Sequence, residues 1–436
     1  MKRLILFIIS ISTTLLAAHA QLGQCNSPYS RFGLGLLTEQ SQGFNRSMSG
    51  VGIGIRQGNV VNYTNPASYS AIDSLALIID AGMSLSAGTI SQNGSRQVVR
   101  SAQLDYVSVG LRLHRGLGMS VGFMPFSRIG YQFEKTKIIA NDPSQMLSIK
   151  STSSYAGDGG LHQAYLGLGW NPFAKLSVGA NVGLLWGTCN HQATQTFEEN
   201  GTSSSTFNKL TSLHQADLTT YNLDFGVQYP FRLTNMDWLT AGATATIGHS
   251  IKSNAVLERN AGSSTAPADT ISAPFDIPFT YGVGLSWKHG FNWLVAADVK
   301  YEQWSKCHTP AWDNSNNAYV AETGEYKDRV SMRAGVQYIP APLSRNYFSR
   351  IQYRFGVRYA SPYLVINGQD GPHEYGLSLG VALPITNHYS NRSTVNVGFE
   401  WMQRNATASS LIKENYFMMT LGLTFNEMWF YKFKIK

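Results

Sequence analysis

Charged side chains at alternate positions of two segments are the first residues in this sequence that could do chemistry. Asp298, Lys300 and Glu302 alternate with Ala297, Val299 and Tyr301, and Arg333 lies within the segment DRVSMRAGVQY. Ammonium and guanidinium groups bind carboxylates through charge-assisted hydrogen bonds. Lys300 and Arg333 are therefore candidates to hold a carboxylate of a bound molecule. The alternative is a mutually neutralising network, whose further members would be Arg354, Arg358, Glu374 and Glu400.

Signals for catalysis or for a metal are weak. Ten histidines are scattered along the chain, and the metalloprotease pattern HExxH does not occur. Cys25, Cys189 and Cys307 form no CxxC motif, so neither a redox site nor a metal site is indicated. Cys189 and Cys307 could form a disulfide, although two free or buried thiols fit better. We expect no enzyme activity, no metal and no cofactor.

The glycines of RSMSGVGIGI suggest a nucleotide-binding loop at first sight. Gly50, Gly52 and Gly54 are spaced as in such a loop, but the flanking strand, the following helix and the downstream acidic residue are missing. Close packing of backbone against backbone explains these glycines better.

The elements that would position these residues show a repeat of two. In LSVGANVGL, from Leu176 to Leu184, apolar residues alternate with small or polar ones, and VNVGFEW from Val395 to Trp401 follows the same rule. Such alternation predicts strands with two different faces. The predicted strands are 74–88, 103–113, 117–127, 161–170, 175–188, 217–229, 238–250, 278–287, 293–305, 328–338, 350–360, 373–383, 393–403 and 415–425.

The links between these strands alternate in length. Short links such as HRG, NPFA and KHGFN follow the even-numbered strands, and most of the links after odd-numbered strands are longer, including 189–216 and 251–277. Outer-membrane barrels alternate short periplasmic turns with long external loops in this way. The sequence therefore predicts an all-β fold, a 14-stranded antiparallel transmembrane β-barrel, over residues 74–436. Composition alone would also allow a large secreted β-sandwich or β-helix.

Composition agrees with an exported barrel. Residues 1–20 resemble a secretory signal peptide, with Lys2 and Arg3 before an apolar run and a small-residue cleavage site. Only 14% of the residues are charged and glycine is abundant, yet the mean hydropathy is slightly negative. The formal charge of +8 falls by two when the signal leaves, and no basic cluster suggests nucleic-acid binding.

Residues 21–73 precede the first predicted strand and are rich in glycine. A fourteen-stranded barrel is wider than side chains alone can fill, so this segment is a candidate plug in the lumen. Asn65-Pro66-Ala67 ends it with a turn signal, because proline fixes φ and asparagine bonds to nearby backbone. The same residues also suit an ordinary loop before a strand.

These features together resemble the FadL/TodX-type outer-membrane transporters of long-chain fatty acids and hydrocarbons. The resemblance rests on RSMSGVGIGI followed by Asn65-Pro66-Ala67, on VAADVKYEQWS and DRVSMRAGVQY, and on the strand number. The opening SPYSRFGLG and the ending NEMWFYKFKIK resemble a divergent branch of the type found in Bacteroidetes.

The resemblance implies a monomeric barrel in a bacterial outer membrane, in contact with lipid and lipopolysaccharide. It further implies passive uptake of a hydrophobic ligand, which leaves past an inward strand kink or towards the periplasm. The N-terminal hatch would be the gate, with Asn65, Pro66, Ala67, Gly50, Gly52 and Gly54 as its elements. Lys300 and Arg333 would then hold the carboxylate of a fatty acid. Two alternatives stay open: a general porin for small polar solutes, and a barrel subunit of a surface-assembly or secretion complex.

Overall fold

The computed structural model describes residues 27–428 except 93, 143–146, 174, 200, 201, 204–207, 263, 314, 316, 317, 386–392, 409 and 410. The expected signal peptide, Cys25 and the C-terminal lysines lie outside the described residues, as does most of the NGTSSST stretch.

Strands make up most of the described chain, with short helical segments at both ends of the lumen. The strands, numbered in chain order, are β1 (Leu36–Leu37), β2 (Ala76–Gln92), β3 (Ser95–His114), β4 (Leu117–Pro125), β5 (Ser127–Asp142), β6 (Leu147–Phe173), β7 (Leu176–Glu199), β8 (Thr202–Ser203), β9 (Leu210–Arg232), β10 (Asp237–Thr246), β11 (His249–Ile251), β12 (Asn254–Ala261), β13 (Ser264–Thr265), β14 (Asp269–Ser272), β15 (Phe275–Ile277), β16 (Thr280–His289), β17 (Trp293–Glu302), β18 (Thr309–Asp313), β19 (Ala318–Glu322), β20 (Arg329–Tyr338), β21 (Gln352–Ala360), β22 (Val365–Ile366), β23 (Gln369–Asp370), β24 (His373–Pro384), β25 (Thr394–Asn405) and β26 (Lys413–Met428). The helical segments are α1 (Gly43–Arg46) and the 3₁₀ turns Pro28–Arg31, Pro66–Ala71, Trp304–Lys306 and Phe348–Arg350.

Antiparallel pairing of neighbours closes these strands into a barrel. Each wall strand pairs with its sequence neighbours, and β2 pairs with β26 to close the cylinder. β4 and β5 are two parts of one strand, since both pair with β6 on either side of a break at Phe126. Counted in this way, the wall has fourteen strands, which confirms the predicted fold class and every predicted strand.

The exterior of the barrel suits lipid. Outward-facing side chains at alternate positions, such as Val182, Leu184, Val283 and Leu285, are exposed, whereas the residues between them face inward. Such a lipid-facing apolar surface is typical of outer-membrane barrels. No helix among the described residues is long and apolar enough to cross a membrane.

The predicted long external links are wrong in part, because strands occupy much of them. β6, β7 and β9 have 27, 24 and 23 residues, and at about 3.3 Å per residue they run well beyond a hydrocarbon core of about 30 Å. The outer ends of these strands are polar on both faces, as in TCNHQATQTFEE. Alternation of apolar and polar residues disappears there, so the sequence carries no strand signal above the membrane.

The segment before β2 lies inside the barrel in two parts. Residues 27–42, here called the arm, contact the long-loop end: Ser27 N donates to Gly130 O (3.1 Å) and Tyr29 lies against Ile412. Residues 43–72, here called the floor, are largely buried near the short-turn end. Phe44, Met48, Val51 and Ile55 form one apolar cluster of the floor with wall residues of β17.

Candidate functional site: the plug, the lumenal cavity and the wall gap

The Asn-Pro-Ala turn is tied both to the rest of the floor and to the wall. Asn65 Nδ2 donates to Ile53 O (2.8 Å) and to Val227 O (3.1 Å), and Asn65 Oδ1 accepts from Ala67 N (3.1 Å). Asn65 therefore caps the 3₁₀ turn that begins at Pro66. All three residues of the predicted hatch element are buried, and they join the floor to the wall.

Glycines in the wall give the floor its close fit. A Cβ at Gly179 would lie 2.4 Å from the carbonyl carbon of Pro66, and a Cβ at Gly226 would lie 2.1 Å from Asn65 Oδ1. These glycines are direct partners across strands β7 and β9. Gly242 and Gly284, paired across β10 and β16, receive Ile53 in the same way. Backbone of the floor thus lies directly on backbone of the wall.

The three glycines of the GVGIG stretch also lie against the wall. Gly50 has φ +79°, a left-handed conformation, and its carbonyl accepts from Arg333 Nη1 (3.1 Å). Gly52 N and Ile53 N both donate to Asp298 Oδ2, at 2.6 and 2.9 Å. A Cβ at Gly54 would approach Leu285 backbone at 2.7 Å. Close backbone packing, as expected from the sequence, explains these glycines.

Burial shifts titration within the floor. Desolvation lowers the pKa of Arg56 to about 10, although its Nη1 donates to Ser70 Oγ at 3.0 Å. Desolvation also raises the pKa of Tyr69 well above its ordinary value, and its hydroxyl donates to Asn181 Oδ1 on β7 at 3.1 Å. Arg56 and Tyr69 therefore both stay protonated at ordinary pH.

Lys300 and Arg333, predicted to hold a ligand carboxylate, lie beside a carboxylate of the chain itself. Arg333 Nη1 is 2.8 Å from Glu39 Oε1, and Arg358 Nη1 is 3.3 Å from Glu39 Oε2. Burial raises the pKa of Glu39, but Arg333, Arg358 and Lys300 outweigh this and hold that pKa below its ordinary value. Glu39 carries no sequence signal for this role, because its partners Arg333 and Arg358 lie 294 and 319 positions further along the chain.

The remaining lumenal charges form the alternative network expected from the sequence. Arg358 Nη2 contacts Glu400 at 2.7 Å and Glu374 at 3.3 Å. Arg404, which was not predicted, contacts Glu374 at 3.4 Å and Glu414 at 3.1 Å. Arg358, Glu374 and Glu400 therefore neutralise one another, whereas Arg354 donates to the amide oxygens of Gln337, Asn396 and Gln352.

A cavity of about 140 Å³ lies between the arm and this network. Charged side chains of β3, β5, β20, β21, β24 and β25 line it. Apolar side chains lie among them, namely Leu36, Leu37, Val99, Met402 and Met418, and Met402 Sδ is 3.0 Å from Arg358 Nη2. The cavity is therefore amphipathic.

The wall beside this cavity is open. β3 pairs with β4 from Val107 to His114, but the outer part of β3 from Ser95 to Tyr106 has only β2 as a described partner. β5 turns inward after Phe126 and pairs with β1 through Arg128 and Ser127 instead. Arg128 Nη2 donates a hydrogen bond to Leu104 O across the opening (3.0 Å). We call this opening the wall gap.

A larger cavity of about 1210 Å³ opens at the long-loop end above the arm. Its lining is aromatic with polar tips: the hydroxyl of Tyr131 is 2.9 Å from His191 Nδ1, and Arg31 lies 4.3 Å from the ring centroid of Tyr155. We call this cavity the vestibule. From the outside, the vestibule therefore leads to the arm. On the other side of the arm, the lumenal cavity reaches the wall gap.

Trp304 is buried against Tyr326 and Tyr363, because the chain turns inward after β17. Cys189 and Cys307 are buried free thiols, and burial raises the pKa of the Cys307 thiol to about 12. No cluster of metal-binding residues occurs in the described part of the chain.

Two GxSxG stretches, Gly118–Gly122 and Gly376–Gly380, lie within wall strands. Ser120 Oγ is paired with Tyr165 OH and Ser378 Oγ with Ser49 Oγ. A nucleophile elbow requires a sharp turn from a strand into a helix. These two serines are therefore packing residues of the barrel.

The fold and this interior define a class: transmembrane β-barrels of the outer-membrane type whose lumen holds the N-terminal segment. A family model named BamG matches residues 1–436, so the chain belongs to the BamG family. A search of curated proteins finds no match. The Bacteroidetes-like branch suggested by the two termini stays a prediction.

Solved structures share the fold. The Pseudomonas putida toluene transporter TodX has a TM-score of 0.58 at 14% identity, over 89% of this chain and 98% of that one. A Pseudomonas aeruginosa FadL homologue has 0.59 at 10% identity, over 89% and 99%. The CymD monoaromatic hydrocarbon channel has 0.55 at 15% identity, over 88% and 97%.

Proposed function

We propose that this protein is a passive outer-membrane uptake channel for hydrophobic molecules such as long-chain fatty acids, gated by its N-terminal segment, and has no enzyme activity. The observation that carries the proposal is the wall gap beside an amphipathic cavity. A molecule in that cavity contacts both apolar and charged side chains and has an opening towards lipid next to it. The solved structures of the same fold that are named as a hydrocarbon channel and a toluene transporter support the same proposal.

In this proposal the two parts of the plug have different tasks. The floor blocks the way to the periplasm, because its backbone lies on the glycines of the wall and Asp298 binds two of its amides. The arm is the gate, since it lies between the vestibule and the lumenal cavity and pairs with β5 beside the wall gap through β1. Ligand would enter the vestibule, pass the arm and leave through the wall gap into the membrane.

A covalent bridge across the wall gap tests this route. Leu104 and Arg128 approach each other there, so Leu104→Cys/Arg128→Cys can be joined by a short bismaleimide in a background with the three native cysteines changed to serine. We expect the bridged protein to lose at least about 90% of fluorescent fatty-acid uptake in a deletion strain. Uptake that is unchanged by the bridge would overturn lateral exit.

The matched control bridges two strands that already pair. Val109 and Val121 are direct partners on β3 and β4, and Val109→Cys/Val121→Cys joined by the same reagent leaves the wall gap open. Uptake should then equal that of the unbridged protein. Planar bilayer recordings serve as a second measurement: a large steady ion current through the wild-type protein would favour the porin alternative instead.

A second candidate function is a barrel subunit of a larger surface-assembly or secretion complex. The observation in its favour is the rim of short turns, which exposes large apolar side chains: Leu343 is 92% exposed and Phe348 is 71% exposed. Basic residues lie in or beside the same turns, namely Arg115, Lys175, Arg232, Lys288, Arg345 and Arg350. Exposed apolar patches rimmed by polar residues often mark interaction sites.

Copurification tests the second candidate. A tagged protein at native level, extracted in mild detergent, should bring down a stoichiometric partner, and Leu343→Ser/Phe348→Ser should lose that partner. Ser344→Ala in the same turn is the control and should keep it. If the wild-type protein purifies as a monomer without a partner, this candidate fails.

A further inference from the structure

Two arginines face each other across neighbouring wall strands. Arg333 on β20 is the direct register partner of Arg358 on β21. Like charges in directly opposite positions destabilise a sheet, so this pair requires an anion. Glu39 of the arm supplies it, with one carboxylate oxygen on each guanidinium, at 2.8 and 3.3 Å. The wall thus forms an anion site, and the arm fills it.

Glu39 matters more to Arg333 than to Arg358. Arg358 also contacts Glu374 and Glu400, whereas the salt bridge recorded for Arg333 within the described chain is that with Glu39. Lys300 adds a further positive charge, since it acts electrostatically on the Glu39 carboxyl. Asp298 is the register partner of Arg333 on β17, but its carboxylate accepts hydrogen bonds from two backbone amides of the floor. Because an unpaired buried charge is strongly unfavourable, Arg333 and Lys300 attract another carboxylate if Glu39 leaves.

Glu39 lies just after the part of the arm that pairs with β5 at the wall gap. Leu36 and Leu37 of β1 pair with Arg128 and Ser127 at the wall gap, and Thr38 N donates to Phe126 O at 3.0 Å. Glu39 follows directly. A movement that withdraws Glu39 from the arginines therefore pulls on the pairing between β1 and β5.

The rest of the cavity suits the tail of an amphiphilic carboxylate. Val99, Met402 and Met418 belong to one apolar cluster that lines the cavity beside Arg358, whose Nη2 is 3.0 Å from Met402 Sδ, and Val99 belongs to the open part of β3. A carboxylate group on Arg333 would place an apolar tail along these residues towards the wall gap. A neutral hydrocarbon has no group that could replace Glu39.

We propose that Glu39 is an internal occupant of an anion site made by Arg333, Arg358 and Lys300, and that the carboxylate of an amphiphilic ligand displaces it and thereby releases the arm. This inference rests on the proposed uptake function and makes the gate selective. Long-chain carboxylates open it, and neutral molecules of the same shape do not.

The test measures release of the arm in the purified full-length protein. Leu37→Cys, in a background with the native cysteines changed to serine, is labelled with a hydrophilic maleimide. We expect oleate to raise the labelling rate at least about tenfold and oleyl alcohol, with the same chain, to leave it unchanged. Equal effects of the two compounds would overturn the proposal.

Variants of Glu39 complete the test. Glu39→Gln should be labelled rapidly without ligand, should no longer respond to oleate, and should bind oleate about tenfold more tightly. Glu39→Asp keeps the charge and should respond as the parent does. Compact electrophoretic mobility before heating shows that each variant is folded. A slow labelling rate in folded Glu39→Gln would contradict the proposal.

Failure of the proposed displacement of Glu39 and failure of the uptake function give different results. If oleate releases the arm but a deletion strain takes up fatty acids normally, the displacement of Glu39 stands and the uptake function fails. If uptake depends on the protein while oleate and oleyl alcohol act alike on the arm, the uptake function stands and the displacement of Glu39 fails.

Discussion

At the residue scale, Asn65 and Pro66 are neighbours with different tasks. Asn65 makes three hydrogen bonds with buried backbone groups of the floor and the wall. Pro66 supplies a fixed φ at the start of the 3₁₀ turn. The Asn-Pro-Ala element is therefore an anchor of the floor, and the moving part of the proposed gate lies elsewhere, in the arm.

Asn65→Ala should lower stability by at least about 2 kcal/mol, because backbone groups are left buried without partners. Pro66→Ala should cost about 1 kcal/mol or less, chiefly through the unfolded chain. Thermal unfolding of the detergent-solubilised proteins, followed by circular dichroism, measures both. Equal midpoints for the two variants would contradict this division of tasks.

Glu39 gives the arm a defined response to pH. Arg333, Arg358, Lys300 and Arg46 face its carboxyl, and they hold its pKa below the ordinary 4.5. Because the folded pKa is lowered, the ion pairs hold the arm fully above pH 4.5 and are lost as the pH falls through the lower folded value. Labelling of Leu37→Cys should therefore stay slow from pH 7 to about 4.5 and rise only in more acid solution.

Glu39→Gln is the control for the pH response. Its arm has no carboxylate to protonate, so its labelling rate should be high throughout and should show no rise in acid. A rise in the parent protein between pH 7 and 5 would mean that another group holds the arm.

At the element scale, paired glycines decide how the floor sits on the wall. Gly179 on β7 has Pro66 and Ala67 backbone where a Cβ would lie, at 2.4 and 2.6 Å. Backbone cannot yield as the end of a flexible side chain can, and overpacking costs about 1–3 kcal/mol.

Gly179→Ala should therefore lower the unfolding temperature and loosen the floor. Ala180→Val, one residue on and facing outward, is the matched control and should change little. Thermal unfolding and proteolysis of the floor measure both variants. Similar results for the two would show that the close fit is not needed.

At the scale of the whole molecule, the plug divides into a removable part and an integral part. Deletion of residues 21–42 removes the arm and leaves the floor with its hydrogen bonds to the wall. Deletion of residues 21–73 also removes the apolar cluster of Phe44, Met48, Val51 and Ile55, and exposes the inner glycines.

The shorter deletion should give a heat-modifiable, folded barrel with low ion conductance and with fatty-acid uptake that no longer discriminates against neutral analogues. The longer deletion should lower the yield of folded barrel severely. Planar bilayer current and electrophoretic mobility check both. A large steady current after the shorter deletion would show that the floor does not seal the lumen.

The sequence alone determined the barrel. Alternation in segments such as Leu176–Leu184 is a local pattern, because successive side chains of a strand point to opposite faces. This pattern located all fourteen wall strands. The alternation of short and long links between them indicated a transmembrane barrel. The glycines and the Asn-Pro-Ala turn likewise predicted a plug before the first wall strand.

Only the tertiary structure decided what the interior contains. The break at Phe126, the wall gap and the meeting of Glu39 with Arg333 depend on contacts between residues far apart in the chain. Lys300 and Arg333 were chosen as carboxylate ligands from their type and position, and the carboxylate beside them belongs to the arm. A side chain's chemistry can be read from the sequence, but its partner is set by how the closed barrel brings the strands and the plug together.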